Sequence, residues 1–211
     1  MTWQFTKDLH FLARLNFATT FNYGLNEGTG GAEGELLEFS VGMAYRPVRY
    51  DWVQVLLKYT NRQEMRPVGL TNNSSSRTSK EVISLVPMFE LPLRLQFVDQ
   101  IAMKFQQENV PGMQTASSIV LLWINRLNFH LIKKLDVGLE YRFLWQWQGS
   151  GSEPLDRHYM FDHGLLIEVA YNVHKYVHVG VGYNFSSFSD NLFLDDNRDY
   201  SGFFLRVIGK F

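Results

Sequence analysis

The amino-acid sequence predicts an all-β protein, an antiparallel transmembrane β-barrel of about ten up-and-down strands. Three observations predict this fold. Apolar and polar residues alternate along most of the chain, with the period of two that places them on opposite faces of a strand. Turn-forming segments separate these stretches and alternate between long and short. Aromatic residues make up 15% of the chain, a content that the two interfacial girdles of a barrel require.

Length and composition limit the alternatives. The 211 residues suit one domain, and we predict that residues 1–211 form it. No run of 18 uncharged apolar residues occurs, which excludes a membrane-spanning helix. The net charge of -1 argues against a nucleic-acid partner. Cysteine is absent and the six histidines show no ligand-pair spacing, so we expect no disulfide, metal or other cofactor.

The first half of the chain predicts five strands. They are 9–23, 37–45, 53–60, 81–89 and 93–106. The Gly/Glu-rich segment 24–34 and the polar segment 61–80 predict long loops. The connection 46–51 predicts a tight turn, with its proline where the sheet needs no hydrogen-bond donor. Asp99 interrupts the otherwise apolar face of the fifth strand.

The second half predicts five more strands. They are 117–126, 135–147, 159–173, 177–186 and 201–211. The seventh strand is the clearest, because every odd residue from Leu135 to Trp147 is apolar and the other face is mainly polar. The sixth strand is apolar on both faces. We predict that the odd-numbered residues of these strands face lipid and that the even-numbered ones face the barrel lumen.

The predicted loops alternate long, short, long, short, which is the layout of outer-membrane barrels with long extracellular loops and short periplasmic turns. Trp3 and Phe5 resemble the tail of a strand that comes down into the first turn. A barrel of twelve strands, or a share of a larger barrel, therefore stays open as an alternative. No signal segment precedes the pattern, so we expect a mature chain or part of a longer one.

The last predicted strand alternates, with Phe204 and Ile208 as apolar exceptions on its polar face, and ends on an aromatic residue. Its apolar face consists of Phe203, Leu205, Val207 and Phe211. Such a strand resembles the closing strand of bacterial outer-membrane β-barrels, in which it serves as the assembly signal.

Several segments resemble one particular family. They include Phe-Leu-Ala-Arg-Leu-Asn-Phe at 11–17, Val-Gly-Leu-Glu-Tyr-Arg at 137–142 and Val-Gly-Val-Gly-Tyr-Asn-Phe-Ser at 179–186. These segments resemble the C-terminal barrel region of very large, repeat-containing bacterial surface proteins. The resemblance implies a Gram-negative outer-membrane location and an anchoring role, with no catalytic residues to carry over. The partners it implies are the lipid bilayer, lipopolysaccharide, the outer-membrane assembly machinery, and further barrel or passenger segments.

The charged residues of the predicted lumen face form the first candidate site. They are Arg14, Glu38, Lys58, Arg94, Lys104, Glu140, Arg142, Glu168 and Arg206. These residues either line a channel that selects solutes or form a salt-bridged core that fills a narrow barrel. The filled core is the favoured interpretation, because buried charges must be paired and both signs are present here.

Two further clusters are weaker candidates. A set near one predicted rim contains groups that hydrolases use; its members are Ser150, Ser152, Asp156, His158, Asp162 and His163. The acidic loop residues Asp190, Asp195, Asp196 and Asp199 lack the ligand spacing of a calcium loop. We expect polar, solvated segments in both places.

The aromatic residues of the predicted lipid face suggest an interfacial girdle rather than a ligand cage. The set is Tyr45, Trp52, Tyr59, Trp123, Tyr141, Trp145, Trp147, Tyr171 and Tyr183. The sequence as a whole predicts a non-catalytic, outer-membrane anchor or scaffold that displays its extracellular loops or an upstream passenger. The alternative is a porin-like pore for small solutes or ions, and a hydrolase at the rim is a third class.

Overall fold

The computed structural model describes residues 2–22, 32–67, 75–150, 158–174, 177–186 and 201–209. Over these ranges the chain forms 11 β-strands and one 3-10 turn. No helix in the described ranges is long and apolar enough to cross a membrane.

The strands follow one another in a single sheet. They are β1 (Thr2–Gln4), β2 (Leu9–Asn22), β3 (Ala32–Tyr45), β4 (Val53–Pro67), β5 (Ser75–Leu91), β6 (Leu95–Asn109), β7 (Ala116–Ile132), β8 (Leu135–Ser150), β9 (His158–His174), β10 (Val177–Asn184) and β11 (Gly202–Gly209). Each strand pairs antiparallel with the next in the chain. The all-β, up-and-down prediction is thereby confirmed. The sheet is open, with β1 and β11 as its two edges.

The strand count is 11 rather than ten because Trp3 belongs to a short strand. In β1, Trp3 pairs with Phe11, and the backbone N–H of Phe5 donates to Leu9 O at 3.0 Å to close the turn. The strand suspected before the first turn is therefore present. It covers three residues of the β2 edge, so β2 beyond Leu12 has no described neighbour on that side.

The prediction of a long loop at 61–80 is wrong over most of that segment. Strand β4 continues to Pro67 and β5 begins at Ser75, in an unbroken register that ends on the pair Pro67↔Ser75. The side chains of this extension are polar, which was the reason for predicting a loop. Backbone pairing does not require apolar side chains, and Glu64 supports the strand by ion pairs with Arg62 (3.5 Å) and Arg66 (2.6 Å).

Parity is conserved across the sheet. Apart from the irregularities at Ile132↔Leu135 and Val177↔His174, the register pairs even residues with even ones, for example Lys58↔Ser84, Ala102↔Leu122 and Leu122↔Leu144. Every buried residue of the described strands is even-numbered, whereas the odd-numbered face stays exposed or half-buried. Because one face of the sheet buries its own side chains against each other, we call the even face concave and the odd face convex.

The core lies on the concave face of the C-terminal half. Ala102, Val120, Leu122 and Leu144 form one buried cluster, with Ile124 packed against it. Leu166 and Ala170 are also buried on this face. The sixth predicted strand was apolar on both faces because its even residues supply the centre of this cluster.

Candidate functional site: a polar belt and an apolar band

The most buried charge of the described chain is Glu168, on the concave face of β9, with 1% of its surface exposed. Its Oε2 accepts a hydrogen bond from Arg126 Nη2 at 2.9 Å and another from Arg206 Nη2. The two arginines come from β7 and β11, so this carboxylate connects three strands. Buried carboxylates require such partners, because desolvation without them is costly.

A second buried carboxylate lies beside the first. Arg126 Nη1 donates to Glu140 Oε2 at 3.1 Å, and Arg142 Nε donates to Glu140 Oε1 at 2.5 Å. Arg126 thus bridges Glu140 and Glu168 with two different nitrogens of one guanidinium group. The planar fork of arginine suits this geometry.

Neutral side chains continue the network toward β5. Arg126 Nε donates to Asn128 Oδ1 (2.8 Å), Asn128 Nδ2 to Gln96 Oε1 (2.9 Å), and Gln96 Nε2 to Glu90 Oε1 (2.6 Å). The result is a continuous chain of side-chain hydrogen bonds from β5 to β11, which we call the polar belt. Its members are Glu90, Gln96, Arg126, Asn128, Glu140, Arg142, Glu168 and Arg206. Three arginines face three glutamates, so the belt is formally neutral.

Glycine makes room for the belt. A Cβ on Gly180 would collide with Glu168 Oε1, and a Cβ on Gly138 would lie 3.1 Å from both Arg126 Nη2 and Asn128 Oδ1. The Val-Gly pattern of these strands therefore has a packing reason, because the belt side chains lie flat over neighbouring backbone. Both glycines lie at concave-face positions: Gly138 is the register partner of Asn128, and Gly180 is diagonal to Glu168.

The nine charged residues predicted for the lumen divide into three groups. Lys104, Glu140, Arg142 and Glu168 are buried on the concave face, and Arg206 joins them half-buried. Arg14 and Lys58 share that face but are exposed, and half-buried Glu38 accepts from Asn16 Nδ2 at 3.2 Å. Arg94 is misplaced in the prediction, because it lies exposed in the 3-10 turn Pro92–Arg94 rather than in a strand.

Sequence reasoning missed four belt members, Glu90, Gln96, Arg126 and Asn128. The sixth strand was predicted to end at Arg126, whereas β7 continues to Ile132. The signal was available, because polar Arg126, Asn128 and His130 alternate with apolar residues over this stretch. The sequence also did not predict a contact between His130 and Asp136, in which His130 Nδ1 lies 2.6 Å from Asp136 Oδ1.

The rim cluster does not assemble in the described chain. Asp162 lies on the concave face and His163 on the convex face, where its ring stacks on Phe161 at 5.7 Å. Asp162 Oδ1 accepts the backbone N–H of His163 at 2.8 Å. Ser150 ends β8, whereas Ser152, Asp156 and the side chain of His158 lie outside the described residues. The acidic loop 190–199 also lies outside them, and the described chain contains no cluster of three or more metal-ligating side chains.

The convex face carries an apolar band that starts at the short-turn end of the strands. On five consecutive strands it stops at a similar distance from that end, and the odd positions beyond it are polar except for Phe21 on β2 and Met65 and Pro67 on β4. The last apolar and first polar residues are Phe17 and Thr19 on β2, Leu37 and Glu35 on β3, Tyr59 and Asn61 on β4, Ile83 and Glu81 on β5, and Phe105 and Gln107 on β6. We call this continuous surface the apolar band.

The aromatic residues of the predicted girdle occupy several levels of the convex face. Tyr45 and Trp52 lie at or beside a short turn, and Trp145 and Trp147 lie toward the opposite end of β8. Tyr59, Trp123, Tyr141 and Tyr183 fall between these levels, and Tyr171 lies near the end of β9. Around Phe143, rings contact one another across β7, β8 and β9: Trp123 stacks on Phe143 at a centroid distance of 5.7 Å, and Phe161 lies tilted against it at 6.2 Å. These rings form one aromatic patch on the convex face, and the interfacial girdle stays a prediction.

Two register partners, Asp99 on β6 and Asn125 on β7, interrupt the band with polar side chains, and the structure accounts for Asp99. Asp99 Oδ1 accepts a hydrogen bond from Trp123 Nε1 at 2.5 Å, across the β6–β7 pair. An indole N–H in an apolar setting needs an acceptor, and the carboxylate supplies one. On β11, Phe203, Leu205 and Val207 are exposed on the convex face, and Phe211 lies outside the described residues. Their role as an assembly signal stays a prediction.

Comparison with family models, with curated proteins and with solved structures finds no match to this chain.

Proposed function

We propose that this chain is the membrane-spanning part of a bacterial outer-membrane β-barrel and serves as a non-catalytic anchor for its long loops or for an upstream passenger. The observation that carries the proposal is the apolar band. A soluble sheet has no reason to end its exposed apolar surface at one level on five consecutive strands. A bilayer imposes such a level on every strand that crosses it.

The size of the band suits an outer membrane. On β3 it runs from Tyr45 to Leu37, eight positions, which is roughly 26 Å along a strand at about 3.3 Å per residue. With strands tilted by about 40°, the vertical extent is roughly 20 Å, close to the apolar belt of about 25 Å on outer-membrane barrels. The polar extensions of β4 and β5 then project beyond the membrane on the long-loop side.

The concave face favours an anchor over a pore. Next to the neutral polar belt lies the buried cluster of Val120, Leu122 and Leu144, and apolar side chains do not line a water-filled channel. A barrel of about ten strands has an interior close to the size that side chains alone fill. Paired charges and packed leucines therefore support a filled lumen.

Strand direction constrains how the barrel closes. In an 11-stranded meander, β1 and β11 run parallel to each other, whereas β2 and β11 run antiparallel. We propose that β11 pairs with the free edge of β2, with the three-residue β1 displaced, to close ten strands. A barrel that keeps β1 needs at least one additional strand, as in the twelve-stranded or larger alternatives.

Cysteine cross-linking tests this closure cleanly, because the chain has no native cysteine. Ala13→Cys on β2 is combined in turn with Phe203→Cys, Leu205→Cys and Val207→Cys on β11, and each pair is refolded into lipid vesicles and oxidised. One pair is expected to form an intramolecular disulfide in a band that migrates faster before boiling than after. Cross-linked dimers alone would show that closure requires a second chain, and failure to insert into vesicles would contradict the membrane proposal.

The pore remains a second candidate because Arg14 and Lys58 are exposed on the concave face of the N-terminal half. Planar-bilayer recordings separate the two functions. A pore conducts steadily, and Lys58→Gln shifts its ion selectivity toward cations. We expect inserted protein without steady conductance, which supports the anchor.

A further inference from the structure

The convex face carries a depression that neither the anchor nor the barrel fold requires. It lies over β5, β6 and β7 and has a volume of about 360 Å³. Its convex-face lining forms two rows of register partners, Glu81↔Phe105↔Ile119 and Ser79↔Gln107↔Ser117. Small serines at two corners of this grid leave the space open.

The depression straddles the boundary of the apolar band. Its lower row contains the last apolar residue of β6, Phe105, and its upper row contains the first polar one, Gln107. The next row toward the short turns is apolar throughout, with Ile83, Met103 and Leu121 in register. A ligand in this position meets hydrogen-bonding groups above and a hydrocarbon surface below, which is the environment of an amphiphile at the membrane interface.

The chemistry of the lining indicates which head group fits. On the convex face it offers two serines, one glutamine and one carboxylate, and none of its lining residues is a lysine or an arginine. Glu81 is exposed, and its Oε1 accepts a hydrogen bond from Asn61 Nδ2 at 3.4 Å. An anionic phosphate would face this carboxylate, and the exposed Arg77 lies one row above the lining residues rather than among them. Hydroxyl groups instead find both donors and acceptors, and the ring of Phe105 offers an apolar surface to a sugar face.

We propose that this depression binds a glycolipid, with an uncharged, hydroxyl-rich head group against Ser79, Gln107 and Ser117. The acyl chains run over Ile83, Met103 and Leu121 into the apolar band. The proposal rests on the membrane placement proposed above, since it takes the upper limit of the band as the outer interface.

The experiment compares two lipids that differ only in head group. The chain is folded into phosphatidylcholine nanodiscs containing equal amounts of a monoglucosyl diacylglycerol and a phosphatidylglycerol with identical acyl chains. Native mass spectrometry then counts the lipid molecules of each kind that stay bound to the protein when it is released from the nanodisc. We expect the glucosyl lipid to be retained about tenfold more than the anionic lipid, a difference of about 1.4 kcal/mol.

Ser117→Leu fills the depression and is expected to abolish this preference. Thr19→Leu is the matched control, because it makes the same kind of change at the same level of the band on β2, and it should leave the preference intact. Equal retention of both lipids, or an unchanged preference in Ser117→Leu, would overturn the site.

The two proposals fail in different ways. A sample that does not reach the compact, fast-migrating form in the bilayer contradicts the membrane placement. A compact, inserted sample without head-group preference contradicts the glycolipid site alone.

Discussion

Residues of the same type differ in burial between the N-terminal and C-terminal halves of the sheet. On the concave face of β8, Leu144 has no exposed surface, whereas Leu12 of β2 and Leu56 of β4 lie on the same face and are about half exposed, at 42% and 44%. Alternation along a strand therefore decides which face a side chain occupies, and the neighbouring strands decide whether it is covered. In the C-terminal half the even residues of neighbouring strands bury one another in one cluster, whereas Leu12 and Leu56 do not belong to a buried cluster.

Charged residues of the concave face differ in burial between the two halves in the same way. Arg142 is buried and bonded to Glu140, whereas Arg14 and Lys58 remain exposed. Closure of the sheet would give the N-terminal half the neighbours it lacks. Substitutions in matched pairs, one in each half, test whether the difference persists in the folded protein in vesicles.

The largest expected effect comes from the belt. Glu168→Ala leaves Arg126 and Arg206 facing each other without their shared carboxylate, and should lower the free energy of unfolding by about 3–5 kcal/mol. The matched change Glu38→Ala removes one bond to Asn16 in the exposed half and should cost less than about 1 kcal/mol. Urea unfolding in lipid vesicles, followed by tryptophan fluorescence, measures both. Equal losses would show that closure buries the N-terminal half as deeply as the C-terminal half.

Truncation of leucine comes next. Leu144→Ala removes a fully buried side chain from the concave cluster and should cost about 2–5 kcal/mol. Leu56→Ala, on the same face of β4, should cost less than about 1 kcal/mol in an open sheet. The same unfolding assay applies. A large loss at Leu56 would mean that packing across the closed barrel covers it.

Glycine substitutions give a smaller contrast. A Cβ on Gly182 would lie 2.6 Å from Ile167 O and collide with the ring of Phe204, whereas the nearest atom to a Cβ on Gly42 is Leu57 O at 3.4 Å. Gly182→Ala should therefore destabilise the fold by about 1–3 kcal/mol, and Gly42→Ala by much less. The temperature at which the compact gel band disappears measures the difference. Equal temperatures would mean that the β9–β11 region relaxes around the added methyl group.

The smallest effect concerns the convex face. Trp123→Phe keeps an aromatic ring but removes the donor to Asp99, and should cost about 1 kcal/mol. The double variant Trp123→Phe with Asp99→Leu should recover that loss, because the unpaired carboxylate is gone. A double-mutant cycle in vesicles measures the coupling, and purely additive effects would argue that water solvates Asp99 in place of the indole.

Much of the fold follows from local pattern. Period-two alternation predicts the strands, their faces and their antiparallel order, and Trp3 with Phe5 indicates the extra strand. The prediction fails where a strand has polar side chains on both faces, as at 61–67, because backbone pairing with β5 holds it there. For the candidate site, parity places Glu140, Arg142 and Glu168 on one face, but their partners depend on how β7, β9 and β11 are juxtaposed.

The sequence by itself determined the strand class, the meander order and the separation of apolar from polar faces, because each depends on spacing within a strand or on the length of the next turn. Only the tertiary structure decided which even residues are buried, which carboxylate each arginine contacts, and why Asp99 sits in an apolar band. Those features depend on register and curvature, which bring together side chains up to 42 positions apart in the chain, as with Arg126 and Glu168.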